Sequence, residues 1–215
     1  MARRPEAQAP WTEEPQAPSV FISMMNMLTD SHDAVTADWA AALLDFWFNQ
    51  VGEQGWWSHD PALDRTCQAR FRALWEEKRH LPAEEFLERA DDALAAVLLF
   101  DQLPRNMFRG SAAAFSTDAL ARDVARGAVA HGYDIQIGGA GRLFFYMPFQ
   151  HSEAVDDQKL SVSLFEGAGD AKSLAFAREH YAMIERFGRF PHRNAALGRA
   201  DAPGEEEAAK KGGGW

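Results

Sequence analysis

Apolar residues recur every three or four positions through most of the middle of the chain, which is the spacing of one face of an α-helix. Trp39, Leu43 and Trp47 follow this spacing after Thr36, whose side chain suits the N-terminal cap of a helix. Strict alternation of apolar and polar residues, which marks a half-buried strand, is not found in the sequence. The pattern therefore predicts an all-α protein.

Residues that favour helix starts and stops divide the chain into short segments. Proline suits the first turn of a helix, and acidic residues there interact favourably with the helix dipole. On this basis helices are predicted to begin near Asp60, Pro82, Thr117, Leu143, Ser152 and Asp170. A loop is predicted at residues 133–141, and Gly188, inside the last helical pattern, predicts a close approach of the backbone to another element. Short helices joined by short loops favour antiparallel helical hairpins stacked on one another.

The two ends of the chain differ in composition from its middle. Residues 1–18 are rich in proline, alanine and glutamate, and residues 200–215 read ADAPGEEEAAKKGGGW. Neither segment carries enough apolar residues to offset the entropy cost of ordering. We therefore predict a largely unstructured N-terminal extension over residues 1–35, a single all-α domain over 36–199 and a flexible C-terminal tail over 200–215.

Composition narrows the classes of function. The 215-residue chain has a formal net charge of −10, which argues against general nucleic-acid binding because phosphate backbones require broad basic surfaces. No segment reaches the length of about 18 apolar residues that a membrane span needs, and the first residues lack a secretory signal. Cys67 is the single cysteine, so an intrachain disulfide is excluded. These features predict a cytoplasmic protein without a membrane span.

Cationic side chains are concentrated in the segment YAMIERFGRFPHRNAALGR, residues 181–199. This segment has four arginines, one histidine and a single acidic residue in a protein of net negative charge. His192 is a candidate acid–base catalyst because imidazole titrates near neutral pH. Arg189, Arg193 and Asn194 are candidate ligand-binding residues. A histidine that bonds only to a backbone carbonyl is an equally good interpretation of His192.

A second group of polar residues lies in the segment FDQLPRNMFRG, residues 100–110. Asp101 is a candidate base or metal ligand. Arg105 and Arg109 are candidate clamps for a carboxylate or phosphate, because a guanidinium group presents two parallel donors. Further candidate ligand-binding residues in this segment are Gln102 and Asn106. In the alternative interpretation, Asp101 bonds to backbone N–H groups of the turn and the arginines pair with acids elsewhere.

A third group lies in the segment FFYMPFQHSEAVDDQ, residues 144–158. His151 and Glu153 flank the predicted helix start at Ser152 and are candidate catalytic residues. Gln158 is a candidate ligand-binding residue that shares a cleft with Glu153. Because His151 and Glu153 are two positions apart and do not share a helix face, no metal site is predicted.

Several blocks of the sequence resemble the signature blocks of the bacterial domain of unknown function 924 family. These blocks are LFDQLPRNMFRG with AFSTDALA, FFYMPFQHSE with Gln158, ERFGRFPHRNAALGR, the DFWF start of the first helix and the loop from Gly52 to Trp57. The resemblance covers roughly residues 36–199 in the family order. It implies an all-α fold of the tetratricopeptide-repeat-like, helical-hairpin type and no established activity. The family usually continues after LGR with Glu-Ser-Thr and a proline, where this chain has Ala200, Asp201, Ala202 and Pro203.

Three hypotheses about function follow from these groups. In the first, the candidate residues meet in one cavity and bind a small anionic molecule through arginines, with His192 or Glu153 as proton donor or acceptor. In the second, stacked hairpins present a groove to a peptide or protein partner, or the chain is a subunit of a larger assembly. In the third, the polar residues form a buried salt-bridge network that joins the hairpins. The sequence has no glycine-rich phosphate loop and no metal-ligand spacing, so it identifies neither a cofactor nor a reaction class.

Overall fold

The computed structural model describes residues 39–211, and every regular element in that range is helical. The prediction of an all-α protein is therefore confirmed for the described part of the chain. The predicted N-terminal extension, residues 1–35, lies outside the described residues. None of the helices between residues 39 and 211 has the length and apolar character needed to cross a bilayer.

The first half of the described chain contains five α-helices, two π-helical segments and one 3-10 turn. They are α1 (Trp39–Leu44), a π-helical segment (Asp45–Val51), α2 (Gly52–Trp56), α3 (Pro61–Lys78), a 3-10 turn (Ala83–Phe86), α4 (Ala90–Val97), a second π-helical segment (Leu98–Gln102) and α5 (Leu103–Met107).

The second half contains six α-helices and two 3-10 turns among its described residues. They are a 3-10 turn (Ala112–Phe115), α6 (Asp118–Ala130), α7 (Tyr133–Ile137), α8 (Gly139–Gln150), α9 (Val155–Ala168), α10 (Ala171–Phe187), a 3-10 turn (Pro191–Arg193) and α11 (Glu205–Lys211).

Two of the predicted helix starts agree closely with the structure. The Asp60 carboxylate accepts a hydrogen bond from the backbone N–H of Ala62 at 2.8 Å and caps α3. The Asp170 carboxylate accepts from the backbone N–H of Lys172 at 3.1 Å and caps α10. In both cases the side chain accepts a hydrogen bond from a backbone N–H group that has no partner within the helix.

Two local predictions are wrong. Residues 133–141 form α7 and the first turn of α8 rather than a loop, because Gly138 (φ 64°) turns the chain between two helical segments. Gly188 does not mark a close approach of the backbone, since a Cβ added there would meet nothing within 4 Å. Its φ of 69° instead ends α10 in the left-handed conformation that glycine adopts most readily.

Packing of consecutive helices positions the segments that carry the candidate residues. Helix α9 packs against both α8 and α10, and α4 packs against α6. Helix α8 also contacts the π-helical segment Leu98–Gln102. The largest fully buried side chains of the described residues include Trp47, Trp75, Tyr146, Phe100, Phe144, Phe145, Phe149, Phe165 and Phe190. This core holds the end of α8, the π-helical segment and the turn after α10 close together.

The C-terminal segment departs from the predicted flexible tail. Glu205, the first residue of α11, is 1% exposed, and its carboxylate accepts hydrogen bonds from Arg189 at 2.6 and 2.7 Å. It also accepts from Asn194 at 3.0 Å and from the backbone N–H of Ala202 at 2.7 Å. Residues 201–211 therefore belong to the folded body, because a carboxylate placed there satisfies donors on the preceding loop.

Candidate functional site

Asp101 lies in the π-helical segment that follows α4, and its side chain is completely buried. Gln102 Nε2 donates a hydrogen bond to Asp101 Oδ2 at 2.6 Å, and Arg105 Nη1 lies 3.3 Å from Oδ1. Arg105 also donates to the backbone carbonyl of Asp101. Turns of this widened type frequently occur at functional sites. The local structure therefore presents a buried carboxylate whose partners come from its own helix.

His151, at the end of α8, supplies a partner from a distant part of the chain. Its Nδ1 lies 2.9 Å from each oxygen of Asp101, and its side chain is 14% exposed. Burial alone would raise the pKa of Asp101, but the charge of Arg105 and the hydrogen bonds from His151 and Gln102 hold it well below the usual range. Burial lowers the pKa of His151, although the Asp101 charge opposes this shift. The arrangement favours a neutral imidazole with its proton on Nδ1 and a lone pair on Nε2.

Asp118, in the first turn of α6, joins two arginines. Arg105 donates from Nη1 and Nη2 to its two oxygens at 3.0 and 3.2 Å, and Arg193 Nη1 lies 3.4 Å from Oδ2. Arg193 Nη2 also donates to the backbone carbonyl of His151 at 2.9 Å. We call Asp101, Arg105, Asp118, His151 and Arg193 the central cluster.

Arg193 is the most deeply buried cation of the central cluster. Its guanidinium carbon lies 4.7 Å from the ring centres of both Phe115 and Phe190, and the residue is 7% exposed. Burial, reinforced by the charge of Arg105, lowers the pKa of Arg193 to about 10. Its Nε has no hydrogen-bond partner among the described residues. A buried donor without a partner is costly and indicates where an acceptor would be stabilising.

Two further histidines lie against the central cluster. The ring centre of His180, on α10, is 6.3 Å from that of His151, and its Nδ1 lies 2.8 Å from the Phe176 carbonyl. Burial and the neighbouring His151 lower the pKa of His180 to about 3. His192 packs 5.6 Å from the Phe190 ring, and burial with the Arg193 charge lowers its pKa to about 4. All three imidazoles are therefore held in an environment that resists protonation.

Four of the candidate ligand-binding residues pair with other carboxylates outside the central cluster. Arg109 Nε lies 2.7 Å from Asp64 Oδ2, and Asn106 donates to Asp64 Oδ1 at 2.8 Å. The other two, Arg189 and Asn194, bind Glu205. These hydrogen bonds join helices to loops. They agree with the alternative interpretation, in which the arginines pair with acids elsewhere in the chain.

Glu153 and Gln158 hold the backbone around the cluster. Glu153 accepts from the backbone N–H of Phe190 at 2.8 Å and from Arg199 at 2.8 and 3.0 Å. Burial would raise the pKa of Glu153, but the hydrogen bond from Arg199 lowers it below the usual value. Gln158 Nε2 donates to the carbonyls of Gln150 at 2.7 Å and Ser152 at 2.6 Å. Glu153 therefore fixes the turn that carries His192 and Arg193.

The roles of Asp118, His180, Arg199 and Glu205 were not predicted from the sequence. His180 could have been found, because it lies on the apolar face of α10 with Ala177 and Ile184, and a polar residue at such a position requires a partner. Asp118 is the first acidic residue after a long run containing two arginines, which is a weaker signal.

The central cluster reaches solvent through the edges of three side chains. Arg105 is 21% exposed, Asp118 15% and His151 14%. Two concavities lie elsewhere in the described residues. One is an open groove of about 380 Å³ lined by Leu44, Phe48, Asp91, Leu94, Ile137 and Gly138–Gly141, and the other is a smaller polar one of about 270 Å³ beside Tyr133. Within residues 39–211, no group of three or more His, Cys, Asp or Glu side chains could hold a metal ion.

Comparison with known proteins places the chain in a family. The model of a family described as bacterial proteins of unknown function, DUF924, matches residues 43–213. The solved structure of the protein of unknown function ATU0120 from Agrobacterium tumefaciens is 39% identical in sequence, with a TM-score of 0.75. The match covers 82% of this chain and 99% of that one, whereas no curated protein matches. The resemblance seen in the sequence is thus confirmed and extends past Arg199: the chain belongs to the DUF924 family.

Proposed function

We propose that this protein binds a small oxyanion at the central cluster. The contact of His151 Nδ1 with both oxygens of the buried Asp101 carboxylate, beside two arginines, is the observation that carries the proposal. Arginines recognise carboxylates and phosphates through parallel N–H donors. Arg105 and Arg193 both pair with Asp118, and Arg105 also pairs with Asp101. The buried Nε of Arg193 offers a further donor.

The proposal includes acid–base chemistry at His151. A carboxylate on Nδ1 fixes the tautomer of an imidazole and stabilises the imidazolium that forms when Nε2 takes a proton. Asp101 occupies this position, and its low pKa keeps it charged across the neutral range. His151 Nε2 is therefore the proton acceptor or donor in the proposed site, with Asp101 as its orienting partner.

The cost of burying charged side chains favours a binding site over a purely structural network at the central cluster. Taking charges out of water costs several kcal/mol per ion, and apolar residues of similar volume are often as stabilising as a buried ion pair. The pairs of Arg109 with Asp64 and Arg189 with Glu205 fit an architectural role, because each arginine meets one carboxylate. The central cluster adds a histidine and an unpaired buried donor, which such a role does not require.

Thermal unfolding in the presence of sulfate, inorganic phosphate or acetate tests oxyanion binding. A ligand that binds only the folded state at 100 times its Kd stabilises it by about 2.7 kcal/mol, so the melting temperature must rise. Arg105→Lys removes the parallel donors at the central cluster, and Arg109→Lys makes the same change at an arginine paired outside it. We expect the anion-induced rise to fall in the first variant and persist in the second. Equal responses in both variants would place the anion elsewhere.

A second candidate function is the binding of a peptide or protein partner. The open groove of about 380 Å³ between α1, α4 and α8 favours this function, because it is lined mostly by apolar residues such as Leu44, Phe48 and Leu94. A tetratricopeptide-repeat-like array is the fold that we propose for this function, supported by the packing of α9 on both α8 and α10. No response to any anion, together with a partner that is lost in Ile137→Glu, would favour this candidate.

A further inference from the structure

The charges of the central cluster cancel when His151 is neutral. Asp101 and Asp118 supply two negative charges, and Arg105 and Arg193 supply two positive charges. The adjacent charged pair, which Glu153 forms with Arg199, is also balanced. An oxyanion that enters this partly buried site would leave a net negative charge in a medium of low dielectric constant, which is unfavourable without compensation.

We infer that an oxyanion binds to the central cluster together with one proton, and that His151 Nε2 takes this proton. The inference rests on the proposed function and specifies how the same site is regulated by pH. The proton restores charge balance, and the imidazolium gains an N–H donor that can bond to an oxygen of the anion.

The surroundings of His151 favour it over the other two imidazoles as the proton acceptor. Its Nδ1 lies 2.9 Å from a carboxylate that stabilises the imidazolium, whereas the Nδ1 of His180 meets a neutral carbonyl. His192 adjoins Arg193 in sequence and packs on Phe190, so a second positive charge there would repel the guanidinium. The charged and titratable groups that face the site are Asp101 and Arg105 from the segment before α6, Asp118 from α6, His151 and Glu153 after α8, His180 from α10, and His192, Arg193 and Arg199 from the C-terminal loop.

Proton-coupled binding has a definite signature in the affinity. When one proton accompanies each anion, Kd falls about tenfold for each unit by which the pH is lowered between the two pKa values of the histidine, without and with anion. Simple attraction between the anion and two arginines gives no such dependence, because guanidinium groups stay charged at neutral pH.

Calorimetric titration of the full chain with sodium sulfate tests the inference. Sulfate does not change its protonation near neutral pH, so any proton taken up belongs to the protein. Titrations in two buffers of different ionisation enthalpy at about pH 7 should give an uptake of between about one half and one proton per sulfate. The Kd should therefore fall by about three- to tenfold for each unit by which the pH is lowered around pH 7.

His151→Asn separates the proposed role from a structural one. The asparagine amide can still donate to Asp101 but cannot take a proton, so sulfate should bind more weakly and without proton uptake. His131→Asn, at an exposed histidine outside the cluster, should behave as the wild type. Circular dichroism and the melting temperature establish that both variants are folded, and His151→Gln serves if the first is not.

The possible results distinguish a failure of the inference from a failure of the proposed function. Sulfate binding with no proton uptake in the wild type would overturn the inference and leave the proposed function standing. Uptake that persists in His151→Asn would overturn the assignment of the proton to His151. Absence of sulfate binding to the wild type at any pH tested would overturn the proposed function and the inference together.

Discussion

At the scale of single residues, the site is explained by the cost of burying a charge. Asp101 is fully buried, so its carboxylate requires the hydrogen bonds from Gln102 and His151 and the charge of Arg105. The same burial keeps the neighbouring imidazoles neutral. In the same buried environment, the Asp101 carboxylate is therefore charged and the imidazoles beside it are neutral.

Asp101→Asn tests how strongly this arrangement depends on the charge. The substitution leaves Arg105 with one carboxylate fewer in a buried position, and breaking a buried pair typically costs 3–5 kcal/mol, so we expect a loss of about 4 kcal/mol in the free energy of unfolding. Asp156→Asn is the control, because the Asp156 side chain is 98% exposed and should change stability by less than about 1 kcal/mol. Urea unfolding at neutral pH measures both. Equal losses in the two variants would contradict the account.

At the scale of helices, the sequence was informative where a local signal decides the structure. Asp60 and Asp170 cap helices as predicted, because capping depends only on residues within the same turn. The helix predicted to begin near Pro82 is instead a 3-10 turn followed by α4, and the predicted loop at residues 133–141 forms α7 and the start of α8. Tertiary contacts influence the structure of both segments. The Tyr133 hydroxyl donates to the carbonyl of Leu87 at 2.9 Å, and this hydrogen bond joins the start of α7 to the chain between the 3-10 turn and α4.

The candidate site was predictable only in part, for the same reason. Asp101 and His151 stand beside helix breaks and could be singled out, but their contact joins residues 50 positions apart. The pairing of Arg193 with Asp118 spans 75 positions. Which carboxylate each arginine meets depends on how the helices pack, and helical periodicity contains no information about partners at that distance. Arg109 and Arg189 were consequently grouped with Arg105 and Arg193, although they bind other carboxylates.

Paired glycine substitutions test the assignment of Gly188 as a helix terminator. Gly188→Ala places a side chain at φ 69° with open space around it, so its cost is conformational and should be about 1–2 kcal/mol. Gly167 lies inside α9, also with open space, and Gly167→Ala should stabilise the protein by about 0.5–1 kcal/mol. Denaturant unfolding of both variants measures whether each substitution lowers or raises the free energy of unfolding. Shifts in the same direction would show that local backbone conformation is not what distinguishes the two positions.

At the scale of the whole molecule, the C-terminal loop is what completes the site. The turn with His192 and Arg193 is held by Glu153 through Arg199 on one side and by Glu205 through Arg189 on the other. The hydrogen bond from Arg189 lowers the pKa of Glu205 to about 2, so this attachment stays charged until strongly acidic pH. The site and the fold thus share their ionisable groups, and the stability of the fold must depend on pH.

The direction of that dependence follows from the shifted pKa values. His180 has a pKa of about 3 in the folded protein, against about 6.5 in an unfolded chain. The unfolded state therefore binds the proton first, so stability is complete above about pH 6.5 and falls as the pH is lowered towards 3. His192, with a pKa of about 4, acts in the same direction. The low pKa of Asp101 adds a further loss below about pH 4, where the unfolded carboxylate protonates.

His180→Asn isolates one histidine in this behaviour. A proton that binds the unfolded chain but not the folded protein changes the free energy of unfolding by about 1.4 kcal/mol per pH unit. Between about pH 6 and 4 the slope for the variant should therefore be smaller than the wild-type slope by about this amount. The asparagine also leaves a cavity, which lowers stability at every pH but does not alter the slope. The exposed His131→Asn should retain the wild-type slope. Urea unfolding across this range compares the slopes, and an unchanged slope in His180→Asn would mean that the buried imidazole is already protonated in the folded protein.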